Sequence, residues 1–252
     1  MSVHCLIRFA EAMEALLDSY VLIGGSACDL LAGSFGVEFR ATKDLDVVII
    51  LDEVSQGFAE ALWGFVKAGG YEAWQDKHGE ARFYRFEKPN DPSCPYMIEL
   101  FSRHPDFELG DEESEIAPLP FSEDILSLSA IVLDDEYYDF ICSGVISVDE
   151  VSVLDAAHLI PLKMKAHIDL SRRKAGGAHV NSVDLKKHRK DVVRLLELVP
   201  EARRLELSGD MRRDALIFLE TVNDPAFRTD QIVEGMDKAE VVRRLRAIYE
   251  LA

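Results

Sequence analysis

Residues 21–51 read VLIGGSACDLLAGSFGVEFRATKDLDVVIIL, and this stretch decides the predicted fold. The apolar run Tyr20–Ile23 meets Gly24–Ser26, after which apolar residues recur at helical spacing. We therefore predict a strand, a tight turn and a helix that begins at Ser26. Further along, Val47–Leu51 is a continuous apolar run, which predicts a buried strand.

Two carboxylates stand just before that second strand. Asp44 and Asp46 are separated by one residue, so their side chains point to the same face of an extended backbone. Like charges held this close repel each other, and the pKa of each carboxyl rises unless a cation lies between them. A divalent metal ion is the usual cation, and a ligand set made only of oxygens favours Mg2+.

The turn at Gly24, Gly25 and Ser26 predicts a phosphate site. Glycines let backbone N–H groups approach an anion closely, and the positive end of the following helix dipole favours negative charge. Either motif alone has a plain alternative, an ordinary Gly-Gly turn or a solvated Asp-x-Asp segment. Because the two motifs are separated by one helix and each adjoins an apolar strand, together they favour phosphoryl or nucleotidyl transfer.

The glycine turn and the two aspartates together resemble the motifs of a known protein family. Gly24–Ser26 followed by Arg40–Asp46, RATKDLD, resembles the polymerase-beta-like nucleotidyltransferase superfamily, and within it the AbiEii/AbiGii toxin family. The resemblance implies an α+β fold, with a mixed sheet flanked by helices and then a C-terminal helical bundle. It also implies transfer of a nucleoside monophosphate from an NTP, with one or two Mg2+ ions held at Asp44 and Asp46. Gly24, Gly25 and Ser26 would bind the triphosphate, and Thr42 would help to position it.

Glu99 is the candidate for a third carboxylate. It interrupts the apolar run Tyr96–Phe101, and an acid in an otherwise buried strand is costly unless it is paired or binds a metal. The resemblance implies that such an acid on a neighbouring strand completes the metal site and acts as a base, although the family more often has Asp there. The alternative is that Glu99 faces solvent on an edge strand.

Two further candidates come from the second half of the chain. The segment Leu159–Ala166 resembles the L-x-x-K-x-x-A motif of the same family, which makes Lys163 a candidate for binding the nucleotide phosphates. Lys190 and Asp191 resemble the following K-D-x-x-D motif, but Arg194 stands where its second acid would be. In the alternative reading, Lys163 and Asp191 are ordinary residues on the polar faces of amphipathic helices.

Charge is divided unevenly along the chain. Residues 1–150 contain 9 Lys and Arg against 30 Asp and Glu, whereas residues 151–252 contain 19 against 16. We predict a nucleotidyltransferase core at 1–150 and a helical domain at 151–252, with the second the better side for a polyanion. Its helices are predicted from Asp155, as N-cap, to about Ser171, and over Ser182–Val199, Met211–Leu219 and Lys238–Leu251.

Other segments have simpler patterns. Met1–Tyr20 is predicted to be an amphipathic helix, Val54–Ala68 a helix, and Tyr71–Trp74 and Ala81–Phe86 two strands around a polar turn. No apolar run is long enough to cross a membrane. The four cysteines lie far apart in the sequence and form no C-x-x-C pair, so we expect a cytoplasmic protein.

Three functions remain open at this point. If the resemblance holds, the acceptor is RNA, such as a tRNA 3' end, and the protein is the toxin of a type IV toxin-antitoxin or abortive-infection system with a cognate antitoxin as partner. The acidic first half would instead suit a cationic small acceptor such as an aminoglycoside or lincosamide. A third hypothesis is a non-catalytic regulatory module that keeps the fold.

Overall fold

The computed structural model describes residues 3–39, 42, 44–50, 56–78, 81–102, 117–118 and 134–251. By its backbone contacts the chain divides into two compact units. The first contains residues 1–122 and 128–154, and the second contains residues 123–127 and 155–252. Each unit is described separately below, and the assignment of residues 1–150 and 151–252 to two functional domains stays a prediction.

The first unit is built on an eight-stranded mixed sheet. Its strands are β1 Tyr20–Ile23, β2 Asp44–Ile49, β3 Glu72–His78, β4 Ala81–Glu87, β5 Met97–Ser102, β6 Ala117–Pro118, β7 Val145–Val148 and β8 Val151–Leu154. The spatial order is β6-β3-β4-β5-β2-β1-β8-β7. Strand β2 runs parallel to β5 and antiparallel to β1, while β1 runs parallel to β8. Together with the helices below, this sheet confirms the predicted α+β class.

Helices accompany the sheet in the first unit. They are α1 Val3–Met13, α2 Gly24–Ser34, α3 Gln56–Gly69 and α4 Asp135–Ser143, with a 3-10 helix at Glu14–Ser19. The helix predicted over Met1–Tyr20 is therefore too long. Tyr20 instead opens β1, because its backbone pairs with Ile49 across the sheet. Its fully buried ring packs edge-on against Phe9, with ring centroids 5.5 Å apart.

Strand pairing also corrects two predicted boundaries. Strand β2 begins at Asp44 and ends at Ile49, because Asp44 pairs with Met97 of β5, so both aspartates belong to the strand. Residue 51, where the strand was predicted to end, lies outside the described residues. Strand β3 runs on through the predicted polar turn to His78, because its residues pair with β4 from Glu72 to His78.

The described part of the second unit is helical, as predicted. Its α-helices are α5 Ala156–Ala175, α6 Ser182–Leu198, α7 Gly209–Val222 and α8 Lys238–Ile248, with a 3-10 helix at Thr229–Gln231. The buried faces of these helices include Leu159, Val192, Phe218 and Leu245, which are completely inaccessible to solvent. Such periodic burial of large apolar side chains supplies most of the stability of packed helices. None of the described helices in either unit is long and apolar enough to cross a membrane.

Helix α5 begins at the predicted N-cap. The Asp155 carboxylate accepts a hydrogen bond from the His158 backbone N–H at 2.8 Å, which satisfies one of the first-turn donors of the helix. The helix then runs to Ala175, four residues beyond the predicted end.

Removing this cap has a measurable effect. Asp155→Ala is expected to lower the free energy of unfolding by about 1–2 kcal/mol, because the His158 N–H loses its acceptor. Asp155→Asn is the matched control, since an Asn side chain caps a helix about as well as Asp. Urea denaturation of both variants checks the prediction, and an equal loss in the two would show that the cap is not the cause.

Candidate metal and nucleotide site

Three charged side chains form a row across the middle of the sheet. Asp46 of β2 lies opposite Glu99 of β5, and Glu99 lies opposite Arg85 of β4. Directly paired residues on neighbouring strands present their side chains on the same face. The row therefore reads Arg85, Glu99, Asp46, and it leads to Ile23 of β1, which pairs with Asp46. Gly24 follows at once, so strand pairing brings the aspartate to the glycine turn.

Gly24 lies directly against the Asp46 carboxylate. Its φ is +73°, in the left-handed region that favours glycine. A Cβ atom added at this position would lie 1.6 Å from Asp46 Oδ2 and 2.6 Å from its Cγ. No side chain fits there unless Asp46 moves. The glycine turn and the second aspartate thus share one place, although the sequence separates them by a helix and a loop.

Helix α2 starts earlier than predicted, at Gly24 instead of Ser26. Gly24, Gly25 and Ser26 therefore form its first turn, where backbone N–H groups have no acceptor within the helix. Residue Ile23 precedes the helix and provides no side-chain cap. Those donors, together with the helix dipole, suit an anion.

Ser26 adds an unsatisfied donor in the same turn. The residue is fully buried, and its Oγ has no hydrogen-bond partner. Buried hydroxyl groups are normally paired, so an orphaned one at a helix start calls for an explanation. A phosphate oxygen bound at the turn would be a suitable acceptor.

Asp44 and Thr42 lie near the start of β2. Asp44 is half-buried and belongs to the same strand as Asp46, two residues away, so the two carboxylates share a face as predicted. Thr42 is half-buried two residues before the strand. Within the described part of the chain, no group of three or more His, Cys, Asp and Glu side chains is arranged to hold a metal ion. The three-carboxylate metal site therefore stays a prediction.

Glu99 is buried and paired with Arg85. Only 5% of the residue is exposed, and β5 lies between β2 and β4, so the solvent-facing edge-strand alternative is wrong. Arg85 donates to Glu99 Oε1 from Nε at 3.0 Å and also from Nη2. Burial and the neighbouring charge of Asp46 raise the pKa of the Glu99 carboxyl to about 8, although the Arg85 guanidinium pulls this pKa down. Glu99 thus holds a proton close to neutral pH.

This raised pKa predicts how stability depends on pH. Between a glutamate's ordinary 4.5 and about 8, the folded protein holds a proton on Glu99 that the unfolded chain has released. The free energy of unfolding of metal-free protein is therefore expected to fall as pH rises through this window, by about 1 kcal/mol per pH unit from this group alone.

Urea denaturation at pH 5, 6, 7, 8 and 9, with divalent ions removed by chelation, checks this prediction. Because other groups also titrate, the measured quantity is the difference between the wild type and Glu99→Gln, which cannot ionise. If that difference stays constant from pH 5 to pH 9, the raised pKa is wrong.

Lys163 and Asp191 meet inside the second unit. Lys163 of α5 is 5% exposed and Asp191 of α6 is completely buried, and Lys163 Nζ lies 3.9 Å from Asp191 Oδ2. Arg194 Nη1 lies 3.5 Å from the other oxygen of Asp191. Both side chains are therefore buried, which is unusual for residues on the polar face of an amphipathic helix. Their role in activity stays a prediction.

Arg85 is the charged residue of this row that sequence reasoning missed. A signal was present, because β4 reads ARFYRFE, and Arg85 stands between the buried residues Tyr84 and Phe86. An arginine in the middle of a strand next to a strand with a buried acid is a natural partner for that acid. Finding it required the register between β4 and β5, which a single strand pattern does not contain.

No family model matches the chain, and no curated protein matches it. One solved structure that resembles it is the crystal structure of an antigenic nucleotidyltransferase-like protein from Paracoccidioides brasiliensis. That protein is 14% identical to this chain, with a TM-score of 0.46, and the match covers 98% of this chain and 93% of the other.

Proposed function

We propose that this protein is a Mg2+-dependent nucleotidyltransferase that moves a nucleoside monophosphate from an NTP to an acceptor hydroxyl and releases pyrophosphate. The observation that carries the proposal is the contact between Gly24 and Asp46, where a Cβ atom would collide with the carboxylate. This contact places a carboxylate that would hold a metal ion beside backbone donors that would hold a phosphate.

The residues present fit a hard divalent cation. Asp44 and Asp46 would offer carboxylate oxygens from one face of β2, and Glu99 on the neighbouring strand would add another. Carboxylate oxygens are the ligands that Mg2+ prefers, and the ion usually keeps several waters besides one or two carboxylates. When bound, Mg2+ supplies charge stabilisation at the phosphoryl oxygens and lowers the pKa of a coordinated hydroxyl.

The protein's own groups bind the nucleotide and transfer the proton. The first-turn N–H groups of Gly24, Gly25 and Ser26 donate to phosphate oxygens and fix the triphosphate, and the Ser26 hydroxyl, which has no protein partner, donates as well. Thr42 lies near the same strand and helps to orient the nucleotide. Glu99, which is paired with Asp46 across the sheet, takes the proton of the acceptor hydroxyl as general base.

Lys163 and Asp191 enter this proposal as a pair. Burying two charges is expensive, and a hydrophobic pair of similar volume is often at least as stable, so such a pair favours a specific role. We propose that Lys163 binds the nucleotide phosphates and that Asp191 holds its ammonium group in place, as the family resemblance implies.

For the acceptor, we propose RNA, such as a tRNA 3' end. The excess of Lys and Arg in residues 151–252 supports a polyanionic acceptor. The proposal extends to the role of a cytoplasmic toxin with a cognate antitoxin, which rests on the resemblance of residues 21–51 alone. The net charge of −21 in residues 1–150 favours the second candidate, transfer to a cationic small molecule such as an aminoglycoside or lincosamide.

The test is an incubation with NTPs labelled at the α-phosphate, Mg2+, and either total tRNA or a set of aminoglycosides and lincosamides. Label is expected in the tRNA fraction, and it should disappear with Asp46→Asn. Asp139→Asn is the matched control, because Asp139 is an exposed acid on α4. Label in the small molecules alone would select the second candidate. If neither acceptor is labelled, or if Asp46→Asn keeps full activity, the protein is a non-catalytic module.

A further inference from the structure

Arg85 is the positively charged member of the row that Arg85, Glu99 and Asp46 form across the sheet. It donates two hydrogen bonds, from Nε and from Nη2, to the same oxygen of Glu99, Oε1. The side chains are 16% and 7% exposed, so the pair is largely shielded from water. Charge-assisted hydrogen bonds shielded from water are strong, because little solvent is available to replace them as hydrogen-bond partner for either side chain.

The order of the strands places the positive charge at one end of the row and Asp46 at the other. Arg85 on β4 stands on one side of Glu99, and Asp46 on β2 stands on the other, next to Gly24. Glu99 therefore lies between the Arg85 guanidinium and the Asp46 carboxylate. Asp46 lies one strand further from the guanidinium, next to the glycine turn.

We infer that Arg85 is the internal counter-cation of this row, and that it competes with a divalent metal ion for Glu99. The inference rests on the proposed function, because it assumes that the row binds a metal ion. Two carboxylates this close need a positive charge, which a metal ion supplies when bound and Arg85 supplies when it is not. A metal ion held by Glu99 would draw on the charge of the carboxylate that Arg85 also binds, so the hydrogen bonds from Arg85 would weaken and that loss would be subtracted from the metal affinity.

This competition distinguishes Arg85 from a residue that only supports the fold. Loss of a purely structural arginine would destabilise the protein and leave metal affinity unchanged or weaker. Loss of a competing arginine strengthens metal binding, because Glu99 no longer shares its carboxylate with another cation.

The test measures Mn2+ binding to purified protein by electron paramagnetic resonance of the free ion. It is done at pH 9, where competition from protons for Glu99 is weakest, and circular dichroism checks that each variant is folded. Arg85→Gln is expected to lower the Mn2+ dissociation constant at least fivefold relative to the wild type. Arg85→Lys keeps the charge but loses the paired N–H donors, so a two- to threefold decrease is expected, and this variant decides the question if Arg85→Gln does not fold.

Lys88→Gln is the matched control, because it removes a positive charge three residues away. Lys88 is exposed and pairs with Glu72 at 2.8 Å, away from the row, so Mn2+ affinity should stay within twofold of wild type. Unchanged or weaker Mn2+ binding in both Arg85 variants would overturn the inference alone. Absence of Mn2+ binding in the wild type, or equal binding in Asp46→Asn, would instead overturn the proposed function.

Discussion

Gly24→Ala is expected to reduce nucleotidyl transfer at least a hundredfold and to destabilise the protein. The new Cβ would lie 1.6 Å from Asp46 Oδ2, so the carboxylate has to leave its place beside the turn. The backbone at φ +73° is also unfavourable for alanine, by about 1 kcal/mol or more. Displacing a catalytic group by an ångström is enough for a loss on the order of a hundredfold.

Gly33→Ala, on the same helix, is the matched control for this effect. Nothing lies within 4 Å of a Cβ placed at Gly33, and alanine is the better helix former by about 0.5–1 kcal/mol. This variant should keep its activity and be as stable as the wild type or slightly more stable. Transfer rates with labelled NTP and thermal melting of both variants provide the comparison, and similar activities in the two would mean that the Gly24–Asp46 contact has no part in catalysis.

Asp46→Asn is expected to abolish activity and yet to stabilise the metal-free protein. The loss of transfer should reach about a thousandfold or more, because Asp46 would be a charged ligand of the metal ion in the proposed function, and its charge next to the turn disappears as well. The charge of Asp46 also opposes ionisation of Glu99, so its removal relieves a repulsion in the folded state. At pH 9, where Glu99 is charged, the melting temperature without metal should rise by about 2–4 °C.

Added Mg2+ separates the two effects in this experiment. It should raise the melting temperature of the wild type, because an ion that binds only the folded state stabilises that state. The melting temperature of Asp46→Asn should stay almost unchanged. Asp139→Asn removes an exposed acid of the same charge and should behave like the wild type in every measurement. A lower melting temperature of metal-free Asp46→Asn would show that the aspartate serves the fold and not a bound ion.

The sequence predicted those parts of the fold whose signal is local. The apolar run before Gly24 marks β1, and Asp155 marks the start of α5 because an N-cap needs only the residues that follow it. Asp44 and Asp46 were placed on one face because side chains alternate along any strand. In each case the physical cause lies within a few residues of the feature.

The remainder depends on pairing between distant segments. That Glu99 lies beside Asp46, and Arg85 beside Glu99, follows from the register of three strands, which no single strand pattern specifies. The length of β3 has the same origin, since pairing with β4 carries it through residues that look like a turn. Separate sequence motifs predict Lys163 and Asp191 as site residues, but the contact between them depends on how α5 packs against α6.

The position of β8 determines where the first unit can be separated from the rest of the chain. Four residues, Val151–Leu154, fill the gap between β1 and β7, and all four are buried. A fragment that stopped at residue 150 would lack this strand, so β1 would expose its amide and carbonyl groups along one side and β7 would lose its antiparallel neighbour. Unpaired strand edges of this kind recruit other chains and aggregate. The shortest N-terminal piece that retains a complete sheet therefore extends to Leu154, even though the change in charge along the chain places the division earlier.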